Sequence, residues 1–198
     1  MKKKDRTATA WHEAGHAVCS VNFKIPFKYA TIEPDFVDRS WGHVKYEGES
    51  CFQGMSRNHR EGIAISAYAG GLAEKKYLNQ KPFRNGLKNL PIGASQDRED
   101  AMAALNERLA TDEENLAYAE WIYHRAIRFV YDEINWQSIQ AVALELIDKK
   151  RLTRREVRKI VLKIQREFME QFGLGGISQR QAAARGQFKG KPYGKEEN

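Results

Sequence analysis

The sequence predicts a mostly helical α+β domain with one small sheet in its N-terminal third. Three observations predict it. Apolar residues recur at three- and four-residue steps in several separate stretches. Only two short segments mix β-branched and aromatic residues with partial alternation. Ser/Thr residues followed three positions later by Glu open two of the helical stretches.

The elements follow in order. Trp11, Ala14, Val18 and Val21 mark a helix from Thr7 to about Asn22, and Pro26 stops its continuation. Residues 28–34 and 42–47 read as strands joined by a turn through Pro34, Asp35 and Asp38, with a weak third strand near Ser50–Gln53. A second helix covers 56–79 on Ile63, Ala67, Tyr68, Leu72 and Tyr77. Gly70-Gly71 inside it costs roughly 1 kcal/mol per glycine relative to alanine, which marks a tolerated defect or a close approach of two helices. A loop at 80–93 carries Pro82, Gly86, Pro91 and Gly93. Ser95 caps a helix to about 110 with Asp97 in its first turn, and Thr111 with Glu114 opens another to about Asp132. Asn135 caps a helix through Leu146. Thr153 and Glu156 open a last helix to about Phe172, with Val157, Ile160, Val161, Ile164 and Phe168 on one face. Residues 173–198 are rich in Gly, Gln, Lys and Arg with few apolar side chains, the composition of a disordered basic tail.

Composition limits the class. The 198 residues are 41% hydrophobic and 30% charged, which suits one globular domain with a core. No apolar run approaches the roughly 20 residues that span a bilayer, and no apolar segment follows the basic start at 1–6 as in a secretory signal. Two cysteines, Cys19 and Cys51, are too few for a disulfide framework or a cysteine-based zinc site, so a cytoplasmic location is the expectation. The net charge of +7 is uneven: residues 1–6 carry +3, 148–167 carry +6 and 173–198 carry +3, so the rest is net negative. The basic 148–167 helix and the tail are the segments suited to nucleic acid, yet no standard nucleic-acid motif accompanies them, and a solvated helix face is the plainer reading.

Chemistry concentrates at His12-Glu13-Ala14-Gly15-His16. On a helix, His12 and His16 stand one turn apart and face the same way, so two neutral imidazoles can hold one zinc ion. Glu13 reaches a water at the metal, whose pKa zinc lowers towards about 7, and acts as general base in its attack on a peptide carbonyl. His-Glu-x-x-His on a helix is the arrangement of zinc metalloproteases. Catalytic zinc takes a third protein ligand, and Glu61, Glu74, Asp97, Asp100, His43 and His59 are the candidates that spacing leaves open. Cys19 reads as a buried small side chain, and Trp11, Trp41, Trp121 and Trp136 as packing residues.

Four ordered blocks extend the pattern. Thr9 to Val18 resembles the zinc-binding helix of FtsH, the AAA+ zinc protease family. Thr31-Ile32-Glu33-Pro34 with Gly42-His43-Val44 resembles the strand segment after that helix. Tyr68-Ala69-Gly70-Gly71-Leu72-Ala73-Glu74 resembles its Tyr-Gly-Gly-x-x-Ala-Glu helix, and Gly93-Ala94-Ser95-Gln96-Asp97 its Gly-Ala-x-Asn-Asp segment. Arg151 to Val157 resembles part of the helical C-terminal region. The resemblance covers about residues 7–170. It implies a zincin-like FtsH peptidase domain at 7–172, with the small sheet after the zinc helix and a C-terminal helical bundle. It implies zinc held by His12, His16 and Asp97, with Glu13 as general base. Glu74 is then a support for a ligand imidazole, and the strand around Gly42–Lys45 an edge for an extended substrate.

The departures are as informative. The chain has no Gly-x-x-x-x-Gly-Lys-Ser/Thr phosphate loop, so the unfoldase half of the family is absent on this reading. Gln96 replaces the family's Asn, and Pro82–Pro91 is divergent. The expectation is a zinc-dependent metalloendopeptidase acting on unfolded polypeptide, with a separate ATP-driven unfoldase and further copies of the chain as partners. The alternative is a catalytically silent, zinc-stabilised module that binds protein or nucleic acid.

Overall fold

A computed structural model of the chain describes residues 6–35, 40–47, 55–81, 95–105 and 111–171. Six helices and three strands lie among them: α1 Arg6–Asn22, β1 Phe27–Thr31, β2 His43–Tyr46, α2 Arg57–Tyr77, α3 Ser95–Leu105, α4 Asp112–Tyr131, α5 Glu133–Lys149, β3 Arg151–Thr153 and α6 Arg154–Gln171. The architecture is mostly helical α+β. The expected strand near Ser50–Gln53, most of the 80–93 loop, the basic start and the 173–198 tail lie outside the described residues.

Helix α1 is the hub. It packs against α2, α5, α6 and the sheet, and twelve of its seventeen residues are buried. The sequence predicts one apolar face. The structure also buries Thr9, Glu13, His16 and Ser20 on the other side. Small residues make this possible. A Cβ on Gly15 would stand 2.5 Å from the Ala69 carbonyl oxygen, so α1 and α2 cross with backbone packed against backbone. At the start of α1, Trp11 is stacked between Tyr77 and Trp136 with ring centroids at 4.7 and 5.1 Å, tying α1 to α2 and α5.

The sheet is antiparallel in the order β2-β1-β3. Strand β1 is shorter than predicted, but the Ile32 amide still donates to the Lys150 carbonyl at 2.9 Å. Strand β3 was not expected. Its Leu152 is fully buried opposite Ala30, which closes the sheet onto the chain's far end.

Most helix ends follow the sequence, but α5 departs at both ends, running on to Lys149 rather than Leu146. Thr111 and Glu114 form the reciprocal capping box, and Thr153 with Glu156 does the same before α6. For α5 the cap is Asp132 rather than Asn135. The Asp132 side chain accepts from the Asn135 amide at 3.1 Å, so the helix begins three residues earlier. Helix α6 buries Val157 and Val161 and leaves its other faces basic.

Candidate metal centre

Three elements meet at the centre. Helix α1 presents His12 and His16 one turn apart, α2 passes beneath them at Gly70, and α3 brings Asp97 in its first turn. The ligand-type atoms of His12, His16 and Asp97 all lie within 4.8 Å of one another.

Each imidazole has its Nδ1 committed. His12 Nδ1 donates to Glu74 Oε2 at 2.9 Å, and His16 Nδ1 donates to the Ser66 carbonyl at 2.7 Å. A carbonyl and a carboxylate only accept, so both Nδ1 atoms carry the proton. Both Nε2 atoms therefore present lone pairs when the rings are neutral, and they face each other at 3.0 Å. Asp97 closes the triangle, with Oδ2 3.2 Å from His12 Nε2 and Oδ1 3.5 Å from His16 Nε2. Two lone pairs and a carboxylate at these distances need a cation among them.

Zinc fits the arrangement. Zn–N distances of about 2.1 Å in a tetrahedron place ligand atoms about 3.4 Å apart. The observed 3.0, 3.2 and 3.5 Å need only small adjustment. Three protein ligands leave the fourth position for water or substrate.

A proton can fill the same place. In the metal-free protein, burial opposes charge on His12, but hydrogen bonds to Asp97 and Glu74 outweigh it and push the ring up to about 10. His16 is also raised: burial opposes, and the Asp97 charge and hydrogen bond prevail. For Asp97, burial acts upward, but the two histidines hold the carboxyl well below its ordinary range.

Glu13 is 5% exposed and lies close enough for its charge to raise both histidines. A Cβ on Gly42, just before β2, would come within 3.1 Å of Glu13 Cγ and 2.7 Å of the Thr31 carbonyl oxygen. The missing side chain lets the lead-in to β2 sit directly over the carboxylate. Gly70 has a matching role below: a Cβ there would stand 2.2 Å from His16 Nε2. Its neighbour Gly71 meets nothing within 4 Å. The doublet is thus a close approach at one position and a helix defect at the other.

The other candidate ligands lie elsewhere. Glu61 is buried but accepts from Tyr118 Oη at 2.7 Å, from Arg57 at 3.2 Å and from Arg125, bracing the start of α2 against α4. Asp100 accepts from Gln96 on the surface. The His43 ring rests beside Tyr29, and His59 is half-buried at the start of α2. Cys19 is buried, and burial pushes its thiol up. A set that sequence reasoning missed sits behind His16. Ser66 Oγ donates to the His16 carbonyl at 3.1 Å and meets Ser20 Oγ at 3.0 Å and Tyr46 Oη at 3.3 Å. Ser20, one turn beyond His16, was the only signal for it.

No protein-family model matches the chain, and no curated protein matches it. The reading of the centre rests on its chemistry. Among the described residues, no helix is long and apolar enough to cross a membrane.

Proposed function

We propose that the chain is a zinc-dependent metalloendopeptidase of the FtsH type, acting on unfolded or flexible polypeptide. One observation carries the reading: the two histidines of a His-Glu-x-x-His helix have their Nδ1 atoms tied and their Nε2 atoms converging with Asp97, beside a buried glutamate that ligates nothing in the triangle.

His12, His16 and Asp97 would hold the metal. Zinc, when bound, supplies Lewis acidity to water and to a peptide carbonyl. The Glu13 carboxylate takes the proton from the attacking water and returns it to the departing amine. Glu74 and the Ser66 carbonyl hold the imidazoles in one tautomer and one orientation. Among the described residues strand β2 stands at a sheet edge in the order β2-β1-β3, so its outer side suits backbone pairing with an extended peptide next to Glu13. Such pairing selects unfolded chain over folded surface. The zincin-like fold and the assignment to the FtsH type rest on the four ordered sequence blocks together with this site.

The test is Glu13→Gln. The variant keeps about one zinc per chain and loses hydrolysis of an unfolded protein such as casein. Hydrolysis retained in the variant sinks the mechanism. Zinc-loaded wild type that cleaves no unfolded substrate points instead to the silent zinc-stabilised binding module.

A further inference from the structure

A second site lies away from the metal centre, between the end of α1 and α6. It is a cleft of about 430 Å³ that shares no lining residue with the metal centre. Among the described residues three cations line it, Lys24, Arg154 and Arg158, and no acid does. None of the three has an ion-pair partner among the described residues. Another cation of α6 does: Lys163 pairs with Glu167 at 3.7 Å. The wall is fixed, because Gln165 Nε2 donates to Asn22 Oδ1 at 3.2 Å and Asn22 Nδ2 donates to the Val18 carbonyl at 3.0 Å.

The backbone and the charge spacing here both leave the three cations unpaired by their own elements. Lys24 adopts a left-handed φ of 60° after α1, as Asn79 and Lys150 do after α2 and α5, a position where glycine fits without steric cost. Arg154 and Arg158 stand one helical turn apart, a spacing at which like charges oppose the helix. The first turn of α6 is not the attraction, since Thr153 and Glu156 already cap it.

We propose that this cleft binds a phosphate-bearing ligand. Two guanidinium groups and an ammonium outnumber what one carboxylate can neutralise, and guanidinium matches phosphate oxygens in pairs. Among the described residues no aromatic ring lines the cleft to stack a base, so recognition is of the phosphate itself and independent of sequence. A free polyphosphate compound and a nucleic-acid backbone both present this chemistry.

The test uses the full chain with two probes: inorganic tripolyphosphate by titration calorimetry, and a labelled 20-base-pair DNA duplex by fluorescence anisotropy at two salt concentrations. The cleft variant is Lys24→Gly/Arg154→Gln/Arg158→Gln. The control, Lys45→Gln/Lys81→Gln/Arg128→Gln, removes three charges elsewhere. Lys24→Gly alone is a second variant, in which the backbone is relieved while the charge is lost, so weaker binding cannot be blamed on unfolding. The expected result is tripolyphosphate binding weakened tenfold or more in the cleft variant, several-fold in Lys24→Gly and less than twofold in the control. The same ordering with duplex, steeper at low salt, assigns a nucleic-acid backbone. Tripolyphosphate binding alone assigns a small ligand. No binding by wild type, equal losses in cleft and control variants, or equal affinity for polyglutamate overturns the proposal.

Discussion

Replacing Gly70 by alanine probes how the candidate metal centre is assembled, and Gly71 beside it is the control. A Cβ at Gly70 would stand 2.2 Å from His16 Nε2, 2.5 Å from Cε1 and 2.6 Å from Cδ2. Ordinary contact starts near 3.4 Å, so the overlap is about 1 Å. Neither side can yield easily. Gly70 lies inside α2, and the His16 ring is held by the Ser66 carbonyl at 2.7 Å. Helix propensity alone favours alanine by about 1 kcal/mol. Overpacking costs about 1–3 kcal/mol, and loss of the buried His16 hydrogen bond costs about 1 kcal/mol more. The net is a destabilisation of roughly 1–3 kcal/mol, with His16 Nε2 displaced from the ligand triangle. Gly71→Ala meets no atom within 4 Å, so only the propensity gain of about 0.5–1 kcal/mol remains. Urea unfolding with chelator present reads the two stabilities, and zinc per chain reads the site. Gly70→Ala should lose stability and zinc while Gly71→Ala gains stability and keeps zinc. Equal stability and equal zinc in the two variants would refute the packing argument.

The remaining predictions concern charge and hydrogen bonding. Glu74→Ala frees the His12 tautomer and should weaken zinc binding about 10–100-fold, read by competition with a chromophoric chelator. In chelator-treated protein, His12 is raised from 6.5 to about 10, so its stabilisation is complete below pH 6.5 and lost as pH rises towards 10. Asp97 is lowered, so its contribution is present above its ordinary 3.8 and lost on acidification below that. The melting temperature of the metal-free protein should therefore fall between pH 6.5 and 9.5, and His12→Gln should flatten that fall. Zinc must displace the His12 proton, so its affinity should rise with pH by up to about tenfold per unit; a pH-independent affinity would contradict the proton's place in the triangle. Tyr118→Phe removes a 2.7 Å hydrogen bond to buried Glu61 and should cost roughly 1–2 kcal/mol in urea unfolding without changing zinc content.

Local features were legible. The capping boxes at Thr111 and Thr153 each lie within four residues, so backbone and side chain find each other in any context where the helix forms. The sequence pointed to Asn135 alone, but Asp132 is an equally good cap type, and only the path out of α4 decides that it is the one used. Strand β3 was invisible. Three residues register no period, and its partner β1 lies about 120 residues earlier. The polar burial of α1 was hidden for a related reason. Periodicity reports one apolar face, whereas a helix covered on every side buries whatever its other faces carry.

By itself, the sequence determined that His12 and His16 share a face with Glu13 beside them, because one helical turn is a local property of the backbone. It also named the carboxylates available to complete a site, but Glu61, Glu74, Asp97 and Asp100 are chemically alike. Only the tertiary structure shows which of them meets the two imidazoles. The crossing of α1 and α2 at Gly15 and Gly70 brings Glu74 to His12 Nδ1, α3 brings Asp97 to the Nε2 side, and Tyr118 with two arginines takes Glu61 away. A carboxylate's role depends on which lone pair or proton it meets within about 3 Å, and that distance exists only once the helices have packed.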